Sequence, residues 1–169
     1  NDKRAFSSSF SRAQFTIVDP EWMISVPKQQ TIYGTVDTMS HLMEHYFHTA
    51  EHTGIQDRML ERVMWTLIDV TPSLLSNLEN KQLRETVAYA STIALSDQLS
   101  MGLLGDWGTH HMDHALSALY DIPHGAGMGI LFPHWLEELL ATGQTDRLAS
   151  FAKNVFQIDA TNKSSQEVA

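Results

Sequence analysis

The stretch Gly34-Thr35-Val36-Asp37-Thr38-Met39-Ser40-His41-Leu42-Met43-Glu44-His45-Tyr46-Phe47 decides how the rest of the chain is read. Val36, Met39, Leu42, Met43, Tyr46 and Phe47 recur at the spacing of one helical face, which predicts a helix from Thr35 to about Ala50. Residues four apart on such a helix stand one turn, about 6 Å, above each other, so Asp37 and His41 can reach one ion. The cluster continues through Glu44, His45, His48 and His52.

Further along, His110, His114 and His124 form a second group, with His111 beside it. His110 and His114 share a helical face. His124 follows Ile122-Pro123, where the chain must turn, so its side chain can swing back toward that face. One carboxylate and three imidazoles suit a borderline divalent metal such as Fe²⁺ or Zn²⁺ and leave positions open for a substrate, as catalytic sites do. Spacing alone does not choose between His110 and His114 as a ligand.

The remaining histidines have plainer readings. His45, His48 and His52 form a stripe with His41 that reads as a solvated or partner-facing surface, though an adventitious metal site would use the same residues. His111 points about 100° away from His110 on a helix and reads as packing. His134 reads as a surface or hydrogen-bonded residue. Gly125-x-Gly127-x-Gly129 follows no strand and lacks the second half of a dinucleotide fingerprint, so close helix packing explains it better. The four Trp and eight Met residues read as core.

Around these motifs the pattern is helical. Helices are predicted over Gln56–Asn77, kinked or split by Pro72, and over Lys81–Leu103. Gly105-Asp106 reads as a helix end followed by an N-cap. Trp107–Tyr120, Gly125–Ala141 and Gln144–Phe156 complete the set, before a loose polar tail from Asp159. Only the first thirty residues differ. Ala13-Gln14-Phe15-Thr16-Ile17-Val18 is β-prone and closed by Asp19-Pro20, and a lone strand needs partners. The chain therefore divides into 1–30, a β-containing entry segment; 31–158, a helical domain; and 159–169, the tail.

Composition narrows the function. The 169 residues suffice for one domain with a sizeable core. The absence of cysteine excludes disulfides, thiolate-zinc sites and cysteine nucleophiles, and fits a cytoplasmic setting. A net charge of −9 opposes a nucleic-acid partner. No apolar run approaches the roughly 20 residues that span a bilayer, and Asn1-Asp2-Lys3-Arg4 begins no signal peptide. With no initiator Met, the chain reads as trimmed or as a fragment.

The stretch from Gly34 to Phe47 resembles the metal-binding helix of iron-containing alcohol dehydrogenases, especially the butanol dehydrogenase and NADPH-dependent aldehyde reductase branch. The second motif agrees: Gly105-Asp106-Trp107-Gly108-Thr109-His110-His111-Met112-Asp113-His114-Ala115-Leu116-Ser117-Ala118, then Tyr120-Asp121-Ile122-Pro123-His124-Gly125. Both occur in the family's order and spacing, and the resemblance runs from Lys3 to about Phe156. It implies a mainly α fold: the helical metal-binding domain of the dehydroquinate synthase-like, iron-dependent alcohol dehydrogenase type, preceded by a short β segment from a nucleotide-binding domain. It also implies metal ligands Asp37, His41, His110 and His124. His114 is then placed beside the nicotinamide for proton relay or cofactor placement, and Lys3 on the nucleotide phosphates. Family members begin with a nucleotide-binding domain carrying a glycine-rich phosphate loop, and nothing like it is present here.

The resemblance implies an enzyme that uses NAD(P)H and a divalent metal on a small alcohol or aldehyde, with this chain supplying the metal-binding half. A homo-oligomer is compatible with that reading. Two rivals differ in kind. A non-catalytic helical metal-binding module would keep the ligands without nucleotide affinity. A metal-dependent hydrolase would act without any nicotinamide.

Overall fold

The computed structural model describes residue 6, residues 8–96 and residues 98–169, so Lys3 lies outside the described residues. These form seven α-helices: α1 (Lys28–Tyr46), α2 (Gly54–Ser76), α3 (Lys81–Leu95), α4 (Gly108–Tyr120), α5 (His124–Ala141), α6 (Thr145–Val155) and α7 (Ser165–Val168). None is long and apolar enough to cross a membrane.

α1 opens directly after Pro27, whose carbonyl accepts both the Thr31 N–H at 2.9 Å and the Thr31 hydroxyl at 3.1 Å. This helix is the centre of the bundle. It packs against α2, α3 and α5; α4 lies on α5, and α6 closes over α2 and α5. Leu42 and Tyr46 of α1, Leu60, Met64 and Leu67 of α2, and Met128 of α5 are fully buried or nearly so. Their spacing on α2 is the helical period that predicted the element. Arg84 is buried as well, donating to the carbonyls of Leu78 and Val26 and to the Thr31 hydroxyl, which ties α3 to the start of α1.

Several boundaries differ from the sequence reading. α1 starts earlier and ends at Tyr46, because His48 turns inward and its Nδ1 accepts the Ala50 N–H at 3.0 Å. α3 stops at Leu95 because Ser96 leaves the helix, its hydroxyl and N–H both bonded to the Ile93 carbonyl. α2 runs unsplit through Pro72. The β-prone run forms no strand among the described residues; Phe15 and Ile17 are 83% and 84% exposed, with no neighbouring strand to pair with. The tail is not loose throughout. Ser164 and Glu167 form a reciprocal cap, and α7 packs its buried Val168 on the bundle beside α6.

The Trp and Met residues divide. Met43, Met64 and Met128 are core, whereas Trp22 and Met101 are 82% and 66% exposed in short turns outside the bundle. Trp107 stands instead against the rings of His41, His45 and His110.

Candidate metal centre

α1, α4 and the first residue of α5 meet at one point. Asp37 and His41 project from α1, His110 from the first turn of α4, and His124 opens α5. Two turns aim the last pair. Trp107 and Asp121, on either side of α4, both adopt left-handed backbone, φ 58° and 55°, and redirect the chain without a glycine. The reading of Gly105-Asp106 as a helix end and N-cap is corrected: α3 ends at Leu95 and Trp107 is the N-cap of α4, while Asp106, one residue earlier, accepts the Gly108 N–H at 3.2 Å.

Two glycines then let α5 approach. A Cβ on Gly125 would stand 2.2 Å from the Tyr33 carbonyl oxygen of α1, and one on Gly127 would stand 1.7 Å from Asp113 Oδ1 of α4. The glycine run thus serves close helix packing, as its sequence context predicted.

The ligand atoms of Asp37, His110 and His124 all lie within 4.8 Å of one another. Asp37 Oδ1 is 3.2 Å from His124 Nε2 and 3.7 Å from His41 Nε2. His41 falls outside the tightest set of three, but its ring centroid is 4.6 Å from that of His110. Asp37 Oδ1 and His110 Nε2 are buried without a hydrogen-bond partner among the described residues. Each such atom costs about 1–3 kcal/mol unless something satisfies it. An acceptor oxygen and an imidazole nitrogen facing one space, with two more imidazoles beside them, fit a divalent cation of the Fe²⁺ or Zn²⁺ kind.

A second layer completes the centre. Glu44, fully buried, accepts His110 Nδ1–H at 3.0 Å, the Trp107 N–H at 2.6 Å and the Thr109 hydroxyl. Asp113, also fully buried, accepts His124 Nδ1–H. A carboxylate can only accept, so each ring carries its hydrogen on Nδ1 and, when neutral, turns the Nε2 lone pair to the site. Burial pushes the Glu44 carboxyl up, but hydrogen bonds from His110, Thr109 and Trp107 outweigh it and hold the carboxyl below its ordinary range. Burial, and then the neighbouring His110, pull the His41 imidazole down to about 4. It is therefore neutral near pH 7.

The sequence had placed Glu44 and Asp113 within the two motifs without giving either a role. Their signal was a carboxylate three residues after a histidine in each case, His41 to Glu44 and His110 to Asp113. Trp107 was read as core. Its ring instead stands edge-on to His41, His45 and His110, with centroids 5.4, 5.1 and 5.0 Å away. His114 is exposed at the rim, 5.7 Å from the His124 ring centroid to centroid.

Three other histidine readings are corrected. His45 and His48 are buried, not solvated, because Trp107 covers the first and Arg147 reaches the second. His111 is exposed, not packed, because α4 turns its His110 and Asp113 face inward. His52 and His134 are exposed as read.

Known proteins match this chain in sequence and in fold. The family model described as Fe-containing alcohol dehydrogenase family, C-terminal, fits residues 31–169. The chain belongs to the Fe-containing alcohol dehydrogenase family. It is 48% identical over 169 residues to the probable NADH-dependent butanol dehydrogenase 2 of Bacillus subtilis, covering 100% of this chain and 43% of that protein. Identity to the NADPH-dependent aldehyde reductase YqhD of Escherichia coli is 32% over 157 residues, 93% of this chain and 40% of the relative. A substrate- and cofactor-free structure of YqhD matches with TM-score 0.90 and 31% identity, over 99% of this chain and 43% of that one. The mainly α fold is thus that of the helical C-terminal domain of Fe-containing alcohol dehydrogenases. The chain spans less than half the length of these relatives.

Proposed function

We propose that this chain is the metal-binding half of an NAD(P)H-dependent alcohol dehydrogenase or aldehyde reductase acting on small alcohols and aldehydes in the cytoplasm. Asp37, His41, His110 and His124 are the metal ligands in this reading, and Fe²⁺ and Zn²⁺ both suit them. Residues 1–30 then belong with a nucleotide-binding domain, 31–158 form the metal-binding domain and 159–169 its tail. The observation that carries the reading is the convergence of two buried, unsatisfied atoms, Asp37 Oδ1 and His110 Nε2, on one space. The relatives' names support the chemistry: they are butanol dehydrogenases and an aldehyde reductase that use NADH or NADPH.

A divalent metal in such a site supplies Lewis acidity to the alcohol or aldehyde oxygen. The chain's residues do the rest. Glu44 and Asp113 keep hydrogens on the Nδ1 atoms of His110 and His124, so both Nε2 atoms stay directed at the site. Trp107 shields one side from water. His114, at the exposed rim beside His124, holds or passes the proton exchanged with solvent as alcohol and carbonyl interconvert. Lys3 contacts the nucleotide phosphates.

The test is aldehyde-dependent NAD(P)H oxidation, measured with butanal on the chain joined to a family nucleotide-binding domain. Turnover abolished by Asp37→Ala is the expected result, with the isolated chain binding metal but no nucleotide. Undiminished turnover in Asp37→Ala, or hydrolysis needing no nicotinamide, would overturn the assignment.

A further inference from the structure

Among the described residues, the Glu44 carboxylate gathers its hydrogen bonds from one segment, residues 107–110, which lies 63 to 66 positions later in the chain. α4 packs on α5, and polar side chains carry its link to α1. The carboxylate is fully buried, and its oxygens receive a backbone N–H, a hydroxyl and an imidazole N–H, enough to offset the cost of removing a charge from water. Each bond fixes something different. The bond from the Trp107 N–H holds a residue in left-handed backbone, φ 58° and ψ 8°, which a bulky side chain seldom adopts. That conformation lays the indole against His41, His45 and His110. The bond from His110 Nδ1 leaves Nε2 as the buried atom without a partner. Gly105 makes the approach possible: a Cβ there would stand 2.8 Å from Trp107 Nε1 and 3.1 Å from the Glu44 carbonyl oxygen.

We propose that Glu44 is the positioning residue of this centre. It docks the His110 half of the site onto the Asp37–His41 half, selects the His110 tautomer whose Nε2 faces the metal, and seats Trp107 over the histidines. This rests on the metal-site reading above. Glu44 touches neither metal nor substrate; it acts through His110 and Trp107. A glutamine in its place keeps the size but puts an amide donor opposite one of the donors it now satisfies.

The test uses the whole chain, unaltered and as Glu44→Gln, with Arg147→Met as a control that destabilises the fold away from the site. Three quantities are read: thermal unfolding without metal, the His110 tautomer by ¹⁵N–¹H NMR without metal, and Zn²⁺ and Fe²⁺ affinity by anaerobic calorimetry. The unaltered chain should show His110 protonated on Nδ1. Glu44→Gln should shift that tautomer and weaken metal binding about 10- to 100-fold, whereas Arg147→Met should lower the unfolding temperature and leave tautomer and affinity unchanged. Wild-type affinity and Nδ1–H in a folded Glu44→Gln chain would overturn the role. If Glu44→Gln does not fold, the unaltered chain decides, since an Nε2–H tautomer there contradicts the proposal. Failure of the unaltered chain to bind either metal would instead sink the metal-site reading, and the tautomer, read without metal, separates the two failures.

Discussion

The histidine stripe that starts on α1 and runs past its C-terminal end has two ends, and they differ in what their polar atoms meet. Around Asp37 and His41, acceptor atoms face one space with partners missing. Around His48 the partners are all present. His48 Nε2–H donates to Asp57 at 3.0 Å, and Nδ1 accepts the Ala50 N–H. Arg147 pairs with Asp57 at 2.8 Å and lies over the Tyr46 ring, whose hydroxyl donates to Glu61 at 2.7 Å. Burial, and then the Glu61 carboxylate, push the Tyr46 phenol well above its ordinary range, so it stays a donor. Both ends are rich in histidine and carboxylate. The first leaves buried acceptor atoms without partners, as the proposed metal site requires; the second is satisfied and joins α1, α2 and α6.

Substitutions should separate the two ends. The largest effect is predicted for Gly127→Ala. Its Cβ would fall 1.7 Å from Asp113 Oδ1, forcing that carboxylate away from His124. Chemical denaturation should show a loss of about 3 kcal/mol, with metal affinity falling in parallel. Arg147→Met should be next, at about 2 kcal/mol, because it strips Asp57 of its charged partner inside the second network. Metal binding should survive there, and its loss would erase the distinction between the ends.

Acidification comes third. The His41 imidazole titrates near 4 when folded and near its ordinary value of 6.5 when unfolded, so the unfolded chain binds the extra proton first. Stability of the metal-free chain is therefore full above pH 6.5 and falls as pH drops toward 4, which melting curves across that window would reveal. The smallest effect is expected for His134→Ala, since His134 is exposed and pairs only with exposed Glu137. It should change stability by less than about 0.5 kcal/mol in the same denaturation assay.

Much of this was legible in the residues. The helical period placed α2, α4, α5 and α6 to within a few positions and found α1, though with its start seven residues late, and the glycine run was rightly taken as packing. The motif order gave the candidate ligands and the family. What was hidden depends on partners distant in sequence. The stripe from His41 to His52 was visible, but not that Trp107 would cover His45 or that Arg147 would reach His48. Glu44 sits inside the first motif, yet its role comes entirely from residues more than sixty positions away. The end of α3 was misplaced because a single serine, bonding back to Ile93, overrides the apolar pattern that continues through Leu99 and Leu103.

The central claim is that the chain holds one divalent metal where α1, α4 and α5 meet. Its most direct test is the metal content of the anaerobically purified, Fe²⁺- or Zn²⁺-supplied chain beside Asp37→Ala and His124→Ala. The account predicts close to one ion per chain in the unaltered protein and almost none in either variant, with both variants folded. An unaltered chain that holds no metal, or variants that retain it fully, would contradict the account.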